Sequence, residues 1–215
     1  MKLIVQTSSA SFGLGLMSDA GVLHHEIHGT DRSARSRDLG ALFRDLTRSA
    51  GCALSEIDAV WVDLGPGGLS STRAGVSFAN ALAFAAPARL WGVSALELLM
   101  LHARELTQRP VCSMRPAQGG LAFWALYEGR RMVASGCERP ELVLPRITAD
   151  HGAVALAGPL PRLRLAPETL NGVEPLEIDP PALRHFAQAT RRVPVRVGAT
   201  EILEPITGPE ALAAG

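Results

Sequence analysis

The sequence predicts an α/β protein of two lobes, with mixed sheets flanked by helices. In about the first hundred residues, the predicted elements run strand, strand, strand, helix, strand, helix, strand, helix. The chain has 215 residues, enough to bury a real core in one domain or two small ones. Thirteen of its 15 prolines lie at Pro110 or later, so the composition of the chain changes near that position. We therefore expect a first lobe over residues 1–108 and a smaller, more divergent lobe over residues 109–215.

The first three elements are predicted strands at residues 3–5, 13–17 and 22–28. The last two are separated by Ser18-Asp19-Ala20-Gly21, a composition typical of a tight hairpin turn. The amino-terminal region is therefore expected to begin with an antiparallel meander.

A helix is predicted over about residues 36–50, because apolar side chains recur at the spacing of one helix face. These side chains belong to Leu39, Leu42, Phe43 and Leu46. Gly51 stands where a left-handed C-terminal cap belongs.

A glycine-rich corner follows the next predicted strand, residues 57–62. In it, Gly65, Pro66 and Gly67 permit a tight reversal, and a predicted helix over residues 74–86 comes after them. Ser70, Ser71 and Thr72 offer hydroxyls that could cap the first N–H groups of that helix. The pattern fits an anion-binding loop, and it equally fits a plain tight corner. For Arg73, an ion pair with a carboxylate such as Asp63 is favoured over a ligand clamp.

The remaining predictions are a strand at residues 90–93 and a helix at 94–106 in the first lobe. In the second lobe we predict strands at 111–114, 121–127 and 154–157, with one helix at 181–190. Three hairpin-linked strands followed by α/β crossovers is the half-domain order of the actin-like ATPase (ASKHA, ribonuclease H-like) fold. That analogy concerns the fold and carries no activity by itself.

Charge and composition exclude several classes of function. The formal net charge is zero, so no basic surface argues for autonomous nucleic-acid binding. The three cysteines are not spaced as a metal or redox motif, and they fit reduced thiols. The opening residues are too quickly polar for a signal peptide, and apolar runs stay below about 18 residues. We expect a soluble, cytoplasmic protein that does not enter the membrane.

One histidine cluster, formed by His24, His25 and His28, invites a metal-site hypothesis. On a strand, His24, Glu26 and His28 would share a face. An exposed polar face of an edge hairpin is the favoured interpretation, since metal coordination is usually completed from elsewhere in the chain. No serine, cysteine or lysine stands with a recognisable catalytic partner.

Several motifs at consistent spacing resemble those of the bacterial TsaB (YeaZ-type) family. They are Gln6-Thr7-Ser8, Arg35-Ser36-Arg37, Gly65-Pro66-Gly67 with Arg73-Ala74-Gly75, Gly92-Val93-Ser94-Ala95-Leu96-Glu97, and Phe123-Trp124-Ala125-Leu126-Tyr127. The resemblance covers roughly residues 1–130. It implies the actin-like fold and the catalytically silent partner in making threonylcarbamoyl-adenosine on tRNA.

The chain also departs from the family pattern. Gln6 stands where the family has an aspartate, and an amide cannot supply the charge that a magnesium–phosphate site needs. Leu69 and Ser71 replace a phenylalanine and a glycine of the family loop. Residues 116–118 replace an Asp-Ala-Arg motif and lose both of its charges. The chain is therefore identified as a divergent member.

The resemblance implies a protein partner and no catalysis. TsaB-like proteins pair through two helices with a TsaD-like subunit, and the matching positions here are Leu39, Leu42, Phe43, Leu46, Gly75, Ala79 and Leu82. A homodimer through the same surface is expected when that partner is absent. Further partners would be the ATPase and the threonylcarbamoyl-adenylate synthase of the same pathway, with tRNA contacted only indirectly.

No cofactor is expected, and ATP or ADP would bind only at a shared interface. TsaD-type relatives hold a metal with histidines that follow the third short strand of their first lobe. The matching residues 92–98 contain no histidine. Three alternatives stay open: an actin-like ATPase or small-molecule kinase, a glycoprotease-like metallopeptidase, and a paralogue that has lost the tRNA role.

Overall fold

The computed structural model describes residues 1–29, 37–86, 88–190, 192–195 and 202–209. The strands are β1 (Lys2–Gln6), β2 (Gly13–Met17), β3 (Leu23–His28), β4 (Ala59–Asp63), β5 (Arg89–Val93), β6 (Val111–Pro116), β7 (Ala122–Glu128), β8 (Arg131–Glu138), β9 (Val154–Gly158), β10 (Val173–Glu177) and β11 (Arg192–Val195). The α-helices are α1 (Leu39–Ala50), α2 (Leu69–Ala85), α3 (Ala95–Ala103), α4 (Pro140–His151) and the single turn α5 (Leu160–Leu163). They form two compact units, each built on a mixed sheet, which confirms the predicted fold class.

Unit 1 contains Met1–Ala95 and Ala182–Pro205 around a six-stranded sheet in the order β11-β5-β4-β1-β2-β3. β1 is central: it pairs antiparallel with β2 and parallel with β4. The predicted amino-terminal meander is therefore present, and the crossover through α1 returns the chain to the other side of β1. β1, β2 and β4 are buried almost throughout, as their apolar sequences require.

Helix α1 begins at Leu39, about three residues later than predicted, and it has the predicted C-terminal cap and a buried stripe of Leu39, Leu42 and Leu46. Asp38 precedes it, and its side chain accepts a hydrogen bond from the Ala41 N–H at 2.9 Å. Gly51 ends it with φ 61°, a left-handed conformation that glycine adopts without steric cost. The predicted start at residue 36 and the motif at 35–36 lie outside the described residues.

Helix α2 begins at Leu69, five residues earlier than predicted, and this changes the role of its hydroxyl groups. The N-cap is Gly68, which has no side chain to offer. Ser71 Oγ and Thr72 Oγ1 donate to the Gly68 carbonyl at 2.8 and 2.9 Å. The prediction that Ser70, Ser71 and Thr72 cap the free N–H groups is therefore wrong, because these residues lie inside the first turn.

Unit 2 contains Leu96–Pro181 and Ile206–Gly215 around a five-stranded sheet in the order β10-β9-β6-β7-β8. Its core packs side chains of β6, β7 and β9 against Val143, Leu144 and Ile147 of α4. The sequence analysis missed α4, which contains Pro140 and Pro145. Pro140 lies at the first helical position, where its missing N–H costs no hydrogen bond.

Two predictions about the carboxyl-terminal half need correction. Residues 182–205 return to unit 1, where β11 pairs with β5, so the boundary is not a single cut between residues 108 and 109. The predicted helix at 181–190 is a short 3₁₀ helix, Leu183–Ala187, which packs on β1, β2 and β3. Long-range pairing of this kind leaves no local signal in the sequence.

Candidate functional site

The glycine-rich corner is held together by the buried carboxylate of Asp63 at the end of β4. Asp63 is 1% exposed, and it accepts hydrogen bonds from the Ser8 N–H at 3.2 Å and from the Ser8 hydroxyl. Its other oxygen accepts from the Gly65 N–H at 2.7 Å. Asp63 therefore joins the end of β1 to the loop before α2, instead of pairing with Arg73 as predicted.

The loop backbone is also bound to the end of β5. The Leu64 N–H donates to the Val93 carbonyl at 2.9 Å, and the Gly65 carbonyl accepts from the Ala95 N–H at 2.7 Å. The peptide between Gly65 and Pro66 is cis. Because the Gly65 amide is already used by Asp63, it is not available to cradle an anion. These contacts favour the tight-corner interpretation of the loop.

Two glycines allow the corner to approach the segment after β1 closely. A Cβ on Gly67 would lie 2.3 Å from the Ser8 carbonyl oxygen, and a Cβ on Gly75 would lie 2.0 Å from Thr7 Oγ1. Both distances are shorter than any real contact, so only glycine fits. The predicted partner residue Gly75 thus packs inside unit 1 and fixes α2 against residues 7–8.

Acidic ligands for a hard metal are sparse in this corner. Residues 6–8 and 63–68 contain one carboxylate, Asp63, and the neighbouring position on β1 carries the buried amide of Gln6. Mg²⁺ is usually bound through one or two carboxylates together with substrate phosphates. Asp63 already accepts three hydrogen bonds, so the corner is poorly suited to that role.

The seven predicted partner residues divide into a buried and a partly exposed group. The buried ones are Leu39, Leu42, Leu46, Gly75 and Ala79, and the partly exposed ones are Phe43 and Leu82. The buried positions pack within unit 1, so they shape the two helices and do not line a surface. Phe43 of α1 meets Phe78 of α2 edge to face, with ring centroids 6.0 Å apart.

The exposed surface of α2 is uncharged from Ala74 to Ala85. We call its solvent-facing residues the outer face: Ala74, Ser77, Ala81, Phe84 and Ala85, with the partly exposed Phe78 and Leu82 at its edge. Phe84 is 91% exposed. A phenylalanine this exposed on an uncharged helix face is typical of a surface that another protein covers.

The carboxyl-terminal segment is fastened to α2 beside this surface. Asn80 Nδ2 donates to the Leu203 carbonyl at 3.1 Å, and Asn80 Oδ1 accepts from the Leu203 N–H at 3.1 Å. Leu203 is buried. The side-chain amide of Asn80 therefore forms with Leu203 the pair of hydrogen bonds that the backbone of a neighbouring strand would form.

The histidine cluster lies on an exposed edge strand. His24, His25 and Glu26 are exposed, and His28 Nε2 lies 3.4 Å from Glu26 Oε2. This arrangement agrees with the favoured polar-edge interpretation.

The three cysteines do not offer a reactive thiolate at neutral pH. Burial raises the pKa of Cys112 to about 12. Burial and the nearby Glu56 raise the pKa of Cys52, and burial and Glu138 raise that of Cys137. A thiol must ionise to act as a nucleophile, so these shifts disfavour covalent catalysis by cysteine.

No α-helix within the described ranges combines the length and the apolar character that crossing a bilayer would need.

Comparisons with known proteins find similarity to tRNA N6-adenosine threonylcarbamoyltransferases over part of the chain. The model of the family "TsaD: tRNA N6-adenosine threonylcarbamoyltransferase" matches residues 32–138. A tRNA N6-adenosine threonylcarbamoyltransferase of Desulfovibrio desulfuricans is 34% identical over an alignment of 113 residues, and the match covers 46% of this chain and 31% of that protein. The chain thus spans about a third of the length of this curated relative.

The solved structures extend the similarity to nearly the whole chain. YeaZ from Pseudomonas aeruginosa superposes with a TM-score of 0.68 at 24% identity, covering 86% of this chain and 87% of that one. A second structure, an uncharacterised protein similar to peptidase YeaZ from the same organism, gives 0.67 at 24% identity, over 85% and 87% of the two chains. The predicted resemblance to YeaZ is confirmed at the level of the fold.

Proposed function

We propose that this YeaZ-like chain is a non-catalytic scaffold subunit that pairs with a TsaD-like catalytic protein. The pair would transfer threonylcarbamoyl to the tRNA adenosine beside the anticodon. The match to the TsaD family over residues 32–138 and the YeaZ fold support a role in this modification. Two proteins built on the same lobe can associate through equivalent helices, which is the arrangement the resemblance implies.

The outer face of α2 is the observation that carries the proposal. It combines a 91% exposed Phe84 with alanines that let a second helix approach closely, and it has no charge to desolvate. Burying such a surface gains about 25 cal/mol for each Å² of apolar area. A stable interface has an apolar, closely packed centre of this kind. Phe43 and Phe78 continue the surface toward α1.

The chemistry of the glycine-rich corner supports a role without catalysis. Asp63 is engaged in joining β1 to the loop, and Gln6 supplies no charge beside it. The loop at residues 65–75 would position α2 and not bind substrate. We expect ATP or ADP only at an interface shared with the partner, and a homodimer through the outer face when the partner is absent.

Light scattering after size-exclusion chromatography of an equimolar mixture with the organism's own TsaD-like subunit tests the proposal. We expect a mass equal to one copy of each chain. Phe84→Glu and Ala81→Arg should abolish the mixed species, because each puts a charge into an apolar interface. Val22→Glu is the matched control: Val22 is 53% exposed on the hairpin between β2 and β3, away from α2.

Two outcomes would contradict the proposal. One is the absence of a mixed species with the unmodified chain, and the other is intact pairing in both outer-face variants. Circular dichroism must show that the variants are folded. Leu42→Glu and Ala79→Arg are unsuitable for this test, because those side chains are buried and the changes would unfold unit 1.

A further inference from the structure

Unit 2 contains a cavity of about 480 Å³ that the proposed scaffold role does not use. It is bounded by the segment after β6, the start of α4 and the turn α5. Its volume falls within the range of small-molecule sites. Its charged lining consists of Arg139, Glu141, Arg162 and Arg164, and the rest is mainly proline, alanine and leucine.

The cavity lies where an α/β sheet commonly binds ligands. β6 and β9 are parallel, and β8 runs in the same direction because it and β6 both pair antiparallel with β7. The carboxyl ends of these three strands therefore meet at one edge, and each leads directly into a part of the cavity wall. Crevices outside the carboxyl ends of strands are the usual ligand sites of open α/β sheets.

The positive charge of the cavity is only partly balanced. Arg162 Nη1 lies 3.9 Å from Asp179 Oδ2, but Asp179 is already paired with the buried Arg115, Nη1 to Oδ1, at 3.0 Å. Neither Arg139 nor Arg164 forms an ion pair with any carboxylate in the described part of the chain. The lining thus contains three arginines and one carboxylate, that of Glu141.

The backbone at Arg164 ends the turn α5 in the left-handed conformation. Arg164 is the C-cap residue of that turn, with φ 52° and ψ 45°, and among the described residues it alone has a positive φ without being glycine. A left-handed residue commonly ends a helix, usually as glycine, and a larger side chain there costs on the order of 1 kcal/mol or more. This turn places an arginine on the cavity wall.

We propose that this arginine pocket, named for Arg139, Arg162 and Arg164, binds a small molecule that carries a diphosphate group. The planar fork of arginine matches phosphate oxygens in pairs, and three such groups suit a ligand with more than one negative charge. The apolar lining would contact the organic part of the ligand. A polynucleotide is a poorer fit, because the pocket is concave and the chain has no net positive charge to follow a backbone.

Calorimetric titration of the full chain with inorganic pyrophosphate at low salt tests this proposal. We expect one saturable site. Arg139→Gln and Arg162→Gln should each weaken binding about tenfold or more, because each removes hydrogen bonds to a charged group. Glu141→Gln should tighten it several-fold by removing the opposing charge. Arg131→Gln, at the opposite end of the sheet where Arg131 pairs with Glu128, is the matched control and should change nothing.

Arg164→Gly separates binding from folding. Glycine adopts the left-handed conformation without strain, so the melting temperature should stay equal or rise while pyrophosphate binding falls about tenfold. The proposal is overturned if pyrophosphate does not bind at millimolar concentration, or if binding is the same in all arginine variants. It is also overturned if a single-stranded RNA oligomer binds through these arginines and pyrophosphate does not displace it. None of these outcomes depends on pairing with a TsaD-like subunit.

Discussion

Single residues determine whether the corner before α2 has a binding role or a structural one. Asp63 could hold a metal if its oxygens were free, but three hydrogen bonds direct it to Ser8 and Gly65. Gln6 is buried beside it as a neutral amide. A corner of this kind could hold phosphate in a related fold. In this chain it fixes the direction of α2.

Gly75→Ala should destabilise the protein even though it replaces glycine within a helix. Helix propensity alone favours alanine by about 1 kcal/mol. The new methyl group would lie 2.0 Å from Thr7 Oγ1, and overpacking of this kind costs about 1–3 kcal/mol. The midpoint of urea unfolding should therefore fall.

Gly40→Ala is the control for this change. Gly40 is exposed in α1, and the nearest atom to its added Cβ would be Asp38 Oδ1 at 3.3 Å, on a movable side chain. Its unfolding midpoint should stay the same or rise. Equal stabilisation by both substitutions would show that α2 does not pack tightly on residues 7–8.

Thiol reactivity should separate the three cysteines. Cys112 is fully buried and burial raises its pKa to about 12, so its thiol stays protonated at pH 8. Cys52 and Cys137 are partly exposed. Titration with a chromogenic disulfide should modify two thiols in the native protein and the third only after denaturation. Rapid reaction of all three would contradict the burial of Cys112.

At the scale of elements, the sequence predicts secondary structure best where the apolar side chains lie on one face of the element. The stripe of α1 predicts the helix correctly, because its buried side chains Leu39, Leu42 and Leu46 lie on one face. α2 carries alanine, glycine or phenylalanine on every side, so its sequence could not distinguish Ala79, which is buried, from Ala81, which is exposed. The outer face could be identified only from the structure, in which Gly75 and Ala79 are buried and so define the opposite side of α2.

The second half was harder to predict for a related reason. Proline usually breaks a helix, yet Pro140 starts α4 and Pro145 lies within it. Arg139 lies far in sequence from Arg162 and Arg164, and the three adjoin one cavity only through the order of β6, β8 and β9. No pattern of residue spacing in the sequence could have indicated that these arginines line one cavity.

Asn80→Ala should loosen the carboxyl-terminal segment from α2. The change removes two hydrogen bonds of 3.1 Å to Leu203, and we expect a loss of about 1–3 kcal/mol in the free energy of unfolding. Limited proteolysis should cleave near residues 202–205 faster than in the unmodified chain. Ser77→Ala, at an exposed position of the same helix, should leave the cleavage rate unchanged. If the Asn80→Ala variant and the unmodified chain were cleaved at equal rates, the role of Asn80 in holding this segment would be contradicted.

At the scale of the whole molecule, the sequence indicated two lobes but not their composition. Unit 1 is completed by residues 182–205, whose strand β11 joins the edge of its sheet. That pairing spans about half the chain. Local patterns do not record such contacts, because the strand partner is set by the topology of the whole sheet.

The central claim is that an uncharged helix face on unit 1 recognises a TsaD-like protein. The heat capacity of binding tests it most directly, because burial of apolar surface makes that quantity negative. Calorimetric titration of the chain into the TsaD-like subunit at several temperatures should give one-to-one binding with a large negative heat capacity change, and Phe84→Glu should remove the signal. Binding with no heat capacity change, or at undiminished affinity in Phe84→Glu, would contradict the claim.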